Sequence, residues 1–343
     1  MKKILYSFIT IMMVTGIIAC EKEDLTPFDL NNIPKNTNAR VPAEWETHEA
    51  TWMQWPNEYD AGMRPAFAEI IKIIRQYEPV HLIANTEAEK AEAIQFLTKN
   101  NVPEENIIWH IYSIDNCWLR DNGPVYVTDG SNTWIQNWKF DGWGSSFGGD
   151  ISYANDNKIP SKIADYLNLE VQDIQSYILE KGNIEVNGAG TLLINWSCQK
   201  HRNPHISQEN QETILKNALG VTKIIWAYGY WNDDGTVGHI DGTARFVNEN
   251  TVFIADYDSD LENNLARVCR DEGLEVIMYP GDPNWLVGNG FVVAMGDEEN
   301  NETLKTLLET YFPDRDIYMV DGSEIAKNGG GIHCVTNDQP VIL

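Results

Sequence analysis

Three compact segments carry residue types able to do chemistry on one another. Gly329-Gly330-Gly331-Ile332-His333-Cys334 lies near the C-terminal end, Gly238-His239-Ile240-Asp241 before it, and Trp118-Leu119-Arg120-Asp121-Asn122-Gly123-Pro124 further upstream. An ionised thiol is a strong nucleophile, and an imidazole beside it can move protons to and from reacting atoms. Carboxylates offer bidentate, charge-assisted hydrogen bonds to a planar cationic fork. Cys334, His239, Asp121 and Asp241 are therefore the parts needed to grip a guanidinium and attack its central carbon. Each has a plainer reading when taken alone. Cys334 is equally a buried structural cysteine, and Asp121, between Arg120 and Asn122, is equally half of a salt bridge. His239 and Asp241, two apart and on one face of a strand, are equally a satisfied pair. Taken together they favour covalent thiolate chemistry.

The elements that must position these residues follow a repeating cadence of helix, strand and hairpin. Apolar spacing predicts helices over residues 65–77, 88–100, 159–167, 208–219, 261–271 and 304–312. Strands are expected at 79–84, 107–111, 191–196, 223–227, 274–279, 291–295 and 316–320, with hairpins at 124–138 and 243–255. No Pro/Gly/Ser-rich linker interrupts the cadence, so one domain of repeated modules is expected over residues 40–343. Neither a dinucleotide-binding glycine fingerprint nor a phosphate loop occurs. The cysteines have no C-x-x-C spacing and the seven histidines no ligand cluster, so neither metal nor organic cofactor is expected. The twelve tryptophans are irregularly spaced and read as core or cleft wall.

The start of the chain reads as an address. Lys2 and Lys3 precede an apolar run ending at Ala19 and Cys20, the pattern of a secretory signal too short for a spanning helix. Ile17-Ile18-Ala19-Cys20 resembles a lipobox. Residues 1–19 are therefore expected to be a lipoprotein signal peptide, and Cys20 the lipidated residue. Residues 20–39, rich in Asn and Pro at their end, are expected to be a flexible tether. Glu21-Lys22-Glu23-Asp24 resembles the acidic export signal of surface lipoproteins in Bacteroidetes-type bacteria, which implies an outer-membrane, cell-envelope location. The formal charge of −26 becomes −28 once residues 1–19, with two lysines and no acid, are removed. So acidic a surface repels nucleic acid and draws cationic solutes. Beyond Cys20 stand Cys117, Cys198, Cys269 and Cys334; an oxidising compartment permits two bridges among them, with no pairing legible.

The motifs also carry a family resemblance. Pro42-Ala43-Glu44-Trp45-Glu46, Thr51-Trp52, the Trp118–Pro124 segment and Trp138-Lys139-Phe140-Asp141-Gly142-Trp143-Gly144 come first. Gly182-Asn183-Ile184-Glu185, Asn203-Pro204-His205 and the histidine and cysteine segments follow in order. From about Arg40 to Pro340 the chain resembles the agmatine deiminase and bacterial (Porphyromonas-type) peptidylarginine deiminase family of guanidine-modifying enzymes. The resemblance implies a single-domain α/β fold, the five-bladed pseudo-symmetric α/β propeller called a pentein. It implies Cys334 as nucleophile, His239 as acid/base, and Asp121 and Asp241 gripping the guanidinium. Glu180 is the preferred fourth carboxylate and Glu185 its competitor, with Trp118 and Trp143 in the substrate pocket. The implied reaction converts agmatine and water to N-carbamoylputrescine and ammonia; peptidyl-arginine or free arginine, giving citrulline, is the alternative. A surface lipoprotein that only binds cationic ligands is the non-enzymatic alternative, and a homodimer stays open.

Two departures from the family pattern stand out. Lys181 takes the place of the first glycine of the E-G-G-x-I-E segment and is expected to face solvent. Asp141, Gly142, Ser145, Ser146 and Phe147 alter the W-x-F-N-A-W-G-G-K-Y segment and are expected to remodel the pocket for the distal end of the substrate. Cys117, commonly serine in relatives, is either a second reactive thiol or a small wall residue.

Overall fold

The computed structural model describes residues 28–36, 38–147, 151–230, 234–257, 259–296 and 301–343. The expected leader and Cys20 lie outside the described residues. Most of residues 28–39, expected to be tether, is instead laid against the fold. Ile33 and Ala39 are buried, and Asn36 Nδ2 donates to Gln172 Oε1 and Ala218 O.

Sixteen strands among the described residues form five small sheets. The first holds β1 (His48–Gln54), β2 (Val80–Ala84) and β3 (Ile107–Ile111). Then come β4 (Val125–Thr128), β5 (Thr133–Lys139) and β6 (Glu170–Ile178), and β7 (Glu185–Val186), β8 (Thr191–Asn195) and β9 (Lys223–Ala227). The fourth sheet is β10 (Ala244–Asn248), β11 (Thr251–Ala255) and β12 (Glu275–Tyr279). The fifth is β13 (Leu286–Gly288), β14 (Phe291–Met295) and β15 (Asp316–Val320), after which β16 (Thr336–Pro340) returns to the first sheet.

One module explains all five. A short strand pairs antiparallel with a middle strand, a helix crosses over, and a third strand returns parallel to the middle one. The crossover helices are Arg64–Ile74, Ile159–Leu167, Gln208–Leu219, Asp260–Asp271 and Asn301–Tyr311. Parallel neighbours require such a crossover. The middle strands Thr251–Ala255 and Phe291–Met295 are buried almost throughout, which is why they read as continuous apolar runs rather than alternating ones. In the first helix Phe67, Ile70, Ile71 and Ile74 recur at helical spacing and pack with Met53 and Leu82. The arrangement bears out the expected five-bladed α/β propeller.

The ring is closed by the end of the chain. β16 supplies the antiparallel strand of the first module, pairing Thr51 with Asp338 and Trp52 with Asn337. All five of its residues, Thr336-Asn337-Asp338-Gln339-Pro340, are buried although the first four are polar. They are accommodated by polar partners: Trp52 Nε1 donates to Gln339 Oε1, and Arg120 Nη1 sits 2.7 Å from Asp338 Oδ1.

Candidate active site

The chemistry-bearing residues all fall in the segments that lead into the short antiparallel strands. Asp121 lies in the turn of helix Leu119–Asn122 before β4, and Glu180 precedes β7. His239 and Asp241 precede β10, Asn284 precedes β13, and His333 and Cys334 precede β16. Five repeats of one topology thus deliver one such segment each to a common centre.

Cys334 Sγ lies 3.7 Å from Asp241 Oδ2. Asp241 is oriented by His333, whose Nδ1 is 2.7 Å from the same oxygen. Across the site Asp121 Oδ2 accepts from Trp143 Nε1 at 2.8 Å, and its Oδ1 is buried without a hydrogen-bond partner. His239 Nδ1 lies 3.4 Å from that orphan oxygen and also lacks a hydrogen bond. The other ring nitrogen, Nε2, is 2.8 Å from Glu180 Oε2. Gly182 leaves the space for this meeting. A Cβ there would lie 2.5 Å from Asp121 Oδ1 and 2.6 Å from His239 Nδ1.

Glu180 stands behind the histidine rather than on a cavity wall. It is fully buried, and its Oε1 is held by Arg202 Nε at 2.6 Å. Glu185 is not brought to the site: its carboxylate accepts from Arg245 Nε and from the Phe246 amide, both further along the inner strands. Trp118 and Trp143 do line a cavity of about 210 Å³ with Asp121, Phe147 and Cys334. The expectation for Lys181 is corrected. It is buried, 2.8 Å from Asp338 Oδ1, and Asn337 Oδ1 accepts from its ammonium. Desolvation lowers its pKa to about 8. The same carboxylate that anchors Arg120 gave this cation an inward partner, which no local sequence pattern signals.

Cys117, Cys198, Cys269 and Cys334 are all free and buried. Cys117 packs in the core with Met53 and Phe67 and does not line the cavity that holds Trp118 and Cys334; burial and the Asp60 charge raise its thiol well above its ordinary value.

The electrostatics of the site are set by burial and by three neighbouring carboxylates. Burial, reinforced by Asp241 and Glu180, raises the pKa of Asp121 to about 6 despite opposition from His239. Burial also disfavours ionised Asp241, but the contact with His333 overrides it and lowers the pKa. For His239 desolvation would favour the neutral ring, yet Asp121 and Glu180 hold its pKa well above the usual value. Glu180 is kept ionised, with its pKa down to about 2, because Arg202 and His239 outweigh its burial. The Cys334 thiol is raised well above its ordinary range by burial and by Asp241 and Asp121. A planar cation between the two aspartates would satisfy the orphan oxygen and favour the thiolate.

Sequence reasoning missed Asn284, Arg202 and Arg120 as site-building residues. Asn284 Nδ2 is 3.2 Å from Cys334 Sγ. Arg120 Nε donates to His333 O, just before the cysteine. Arg120 stands inside a quoted motif and Arg202 directly precedes one, whereas nothing around Asn284 marks it.

The Porphyromonas-type peptidyl-arginine deiminase family matches residues 40–274 and 282–340. The chain belongs to this family. It is 32% identical over 370 residues to the agmatine deiminase of Stutzerimonas stutzeri, covering 91% of this chain and 98% of that one. Against the agmatine deiminase of Pseudomonas aeruginosa the identity is 31%, over 90% and 97% of the two chains. Among solved structures, agmatine deiminase of Enterococcus faecalis superposes with a TM-score of 0.80 at 24% identity, over 90% of this chain and 97% of that one. A Cys-to-Ser variant of the C. jejuni agmatine deiminase with substrate bound gives 0.79 at 22% identity, over 89% and 97%. At those identities the two structures speak for the fold.

Proposed function

We propose that this protein hydrolyses the guanidino group of agmatine, yielding N-carbamoylputrescine and ammonia through a covalent intermediate on Cys334. The observation that carries the reading is the buried Asp121 Oδ1, which accepts no hydrogen bond and lies 3.4 Å from His239 Nδ1, facing a site where Cys334 and Asp241 already stand 3.7 Å apart. A buried carboxylate oxygen without a donor is costly unless a ligand completes it. Curated relatives at about 30% identity over nine-tenths of the chain are agmatine deiminases, which supports the same chemistry.

The guanidinium lies between Asp121 and Asp241, and its positive charge offsets the carboxylates that hold the thiol neutral, so the thiol releases its proton to solvent as substrate binds. Cys334 thiolate attacks the central carbon, forming a C–S bond while the C=N electron pair moves to nitrogen. His239 as imidazolium gives its proton to one amino group, the C–N bond breaks, and ammonia departs from a thiouronium cation. Neutral His239 then takes a proton from water as its oxygen bonds to the carbon. Collapse of this second adduct breaks the C–S bond, returns the electron pair to sulfur, and leaves the ureido product; the surplus proton leaves on ammonia as ammonium. Glu180 keeps the imidazolium oriented.

The preference for agmatine over arginine rests on the distal walls. Two cavities border Cys334, the 210 Å³ one with Asp60 and a second of about 620 Å³ with Asp234 and with Asp282, whose pKa burial pushes up to about 8. Among the described residues neither is lined by Lys or Arg, so an ammonium is favoured there and a carboxylate is not. The deciding experiment compares kcat/KM for ureido-product formation from agmatine, free arginine and a peptide ending in arginine. Agmatine is expected to be preferred. A tenfold preference for the peptide, about 1.4 kcal/mol in transition-state binding, would make the protein a peptidyl-arginine deiminase with the same reacting groups.

The address at the N-terminal end supports a further reading: a lipid on Cys20 fixes the enzyme to the bacterial outer membrane. No helix among the described residues is long and apolar enough to cross a membrane.

A further inference from the structure

We propose that Asn284 is a catalytic residue whose side-chain N–H donates to the Cys334 sulfur and holds it as the attacking thiolate. The inference rests on the reading of Cys334 as nucleophile and extends it to a residue on another blade. Asn284 is 2% exposed, in the segment between β12 and β13. Its backbone N–H donates to Asp282 Oδ1 at 3.1 Å, which sets the direction of the side chain.

The amide can face the sulfur in only one way. Its Oδ1 accepts from the backbone N–H groups of His333 at 2.9 Å and Cys334 at 3.3 Å. A flipped amide would turn an NH2 group against two N–H donors, so the backbone fixes the orientation. Nδ2 is thereby left 3.2 Å from Sγ, while Oδ1 is 3.5 Å from it. The thiol can donate to that oxygen before it ionises, and the thiolate accepts from the nitrogen afterwards. One side chain serves both states.

The sulfur needs such a donor. The ionisable groups around it are the carboxylates of Asp121, Asp241 and Asp282 and the rings of His239 and His333. Of these, Asp241 and Asp121 oppose a negative charge on the sulfur. Asn284 adds an N–H dipole without adding charge or a proton that could be lost. The glycine run acquires a reason from the same contact. A Cβ on Gly331 would overlap Asn284 Oδ1, and one on Gly330 would strike the Trp118 ring. Those glycines admit the amide and the indole to the two sides of Cys334.

The test uses alkylation of Cys334 by iodoacetamide as a function of pH, read by mass spectrometry of the peptide that carries it. No guanidino substrate is present, so the result does not depend on the substrate reading. Two variants separate the roles. Asn284→Ala removes donor and acceptor without adding charge; Asn284→Asp keeps an acceptor for the His333 and Cys334 amides but cannot donate when ionised. The proposal expects the alkylation midpoint to rise by about one pH unit in both, a tenfold loss of thiolate at a given pH below it. It also expects kcat for agmatine to fall at least ~10-fold while KM stays within ~3-fold, because the side chain touches the nucleophile and not the carboxylate clamp. A folded Asn284→Ala or Asn284→Asp protein with the wild-type midpoint would overturn the proposal, leaving Asn284 as a brace for the His333–Cys334 turn.

Discussion

At the residue scale, the site separates groups that touch substrate from groups that hold them. Asp121 has one oxygen tied to Trp143 and the other 3.4 Å from His239 Nδ1, so its substitution removes a substrate contact and one of the anions beside the histidine. Asp121→Asn is expected to lower kcat/KM for agmatine by roughly a hundredfold, the loss of about 3 kcal/mol carried by a charge-assisted bond. The same residue sets an acid limb. Its pKa is raised to about 6, and only the carboxylate can clamp a cation. Activity should therefore fall as pH drops through about 6, and a kcat/KM profile of Asp121→Asn should lack that limb. Cys334, His239, Asp121 and Asp241 were legible because they sit in compact motifs. Lys181 and Asn284 were not, since their meaning depends on Asp338 and on Cys334, each supplied by a distant part of the chain.

At the element scale, the crossover helices and most middle strands announced themselves, as did β4 and β10 within the expected hairpins, whereas β7, β13 and β16 did not. Residues 159–167, 208–219 and 223–227 have the bounds the apolar pattern suggests. The short strands defeat that pattern for physical reasons. β7 has two residues and β13 three, too few for a period, and β16 buries Thr, Asn, Asp and Gln against polar partners. These are the strands that lead out of the site, where function replaces apolar packing. Tight glycines there carry a second prediction. Gly182→Ala places a methyl within 2.5 Å of Asp121 Oδ1 and 2.6 Å of His239 Nδ1. Thermal unfolding and kinetics together should show about 1–3 kcal/mol of destabilisation with kcat/KM reduced at least ~10-fold as the pair is pushed apart.

At the scale of the whole molecule, the ring is fastened by ionic groups as well as by its cores. Glu44, ahead of β1, sits 2.9 Å from Arg245, 3.3 Å from Arg120 and 2.7 Å from His333 Nε2, tying three blades together. Burial opposes its charge, but Arg245, His333 and Arg120 override this and hold its pKa well below the usual glutamate range. A depressed folded-state pKa stabilises the protein above the ordinary glutamate value, and that stability is lost as pH falls toward the folded one. Glu44→Gln should cost about 3–5 kcal/mol near neutral pH, because two buried guanidiniums lose their shared anion. Its stability should also depend less on pH between the ordinary and depressed values, as read by denaturant unfolding at several pH values. The proposed anchor is testable in the intact cell: fatty-acid labelling should disappear in Cys20→Ser, and equal label would remove the lipid from the account.

The covalent step is the claim on which the rest depends. Wild-type protein turning over agmatine should be quenched in acid, digested, and the peptide containing Cys334 weighed. The account predicts a population of that peptide heavier by the mass of agmatine less ammonia, absent without substrate, and no ammonia release from folded Cys334→Ala. Ammonia release by Cys334→Ala at the wild-type rate would contradict it.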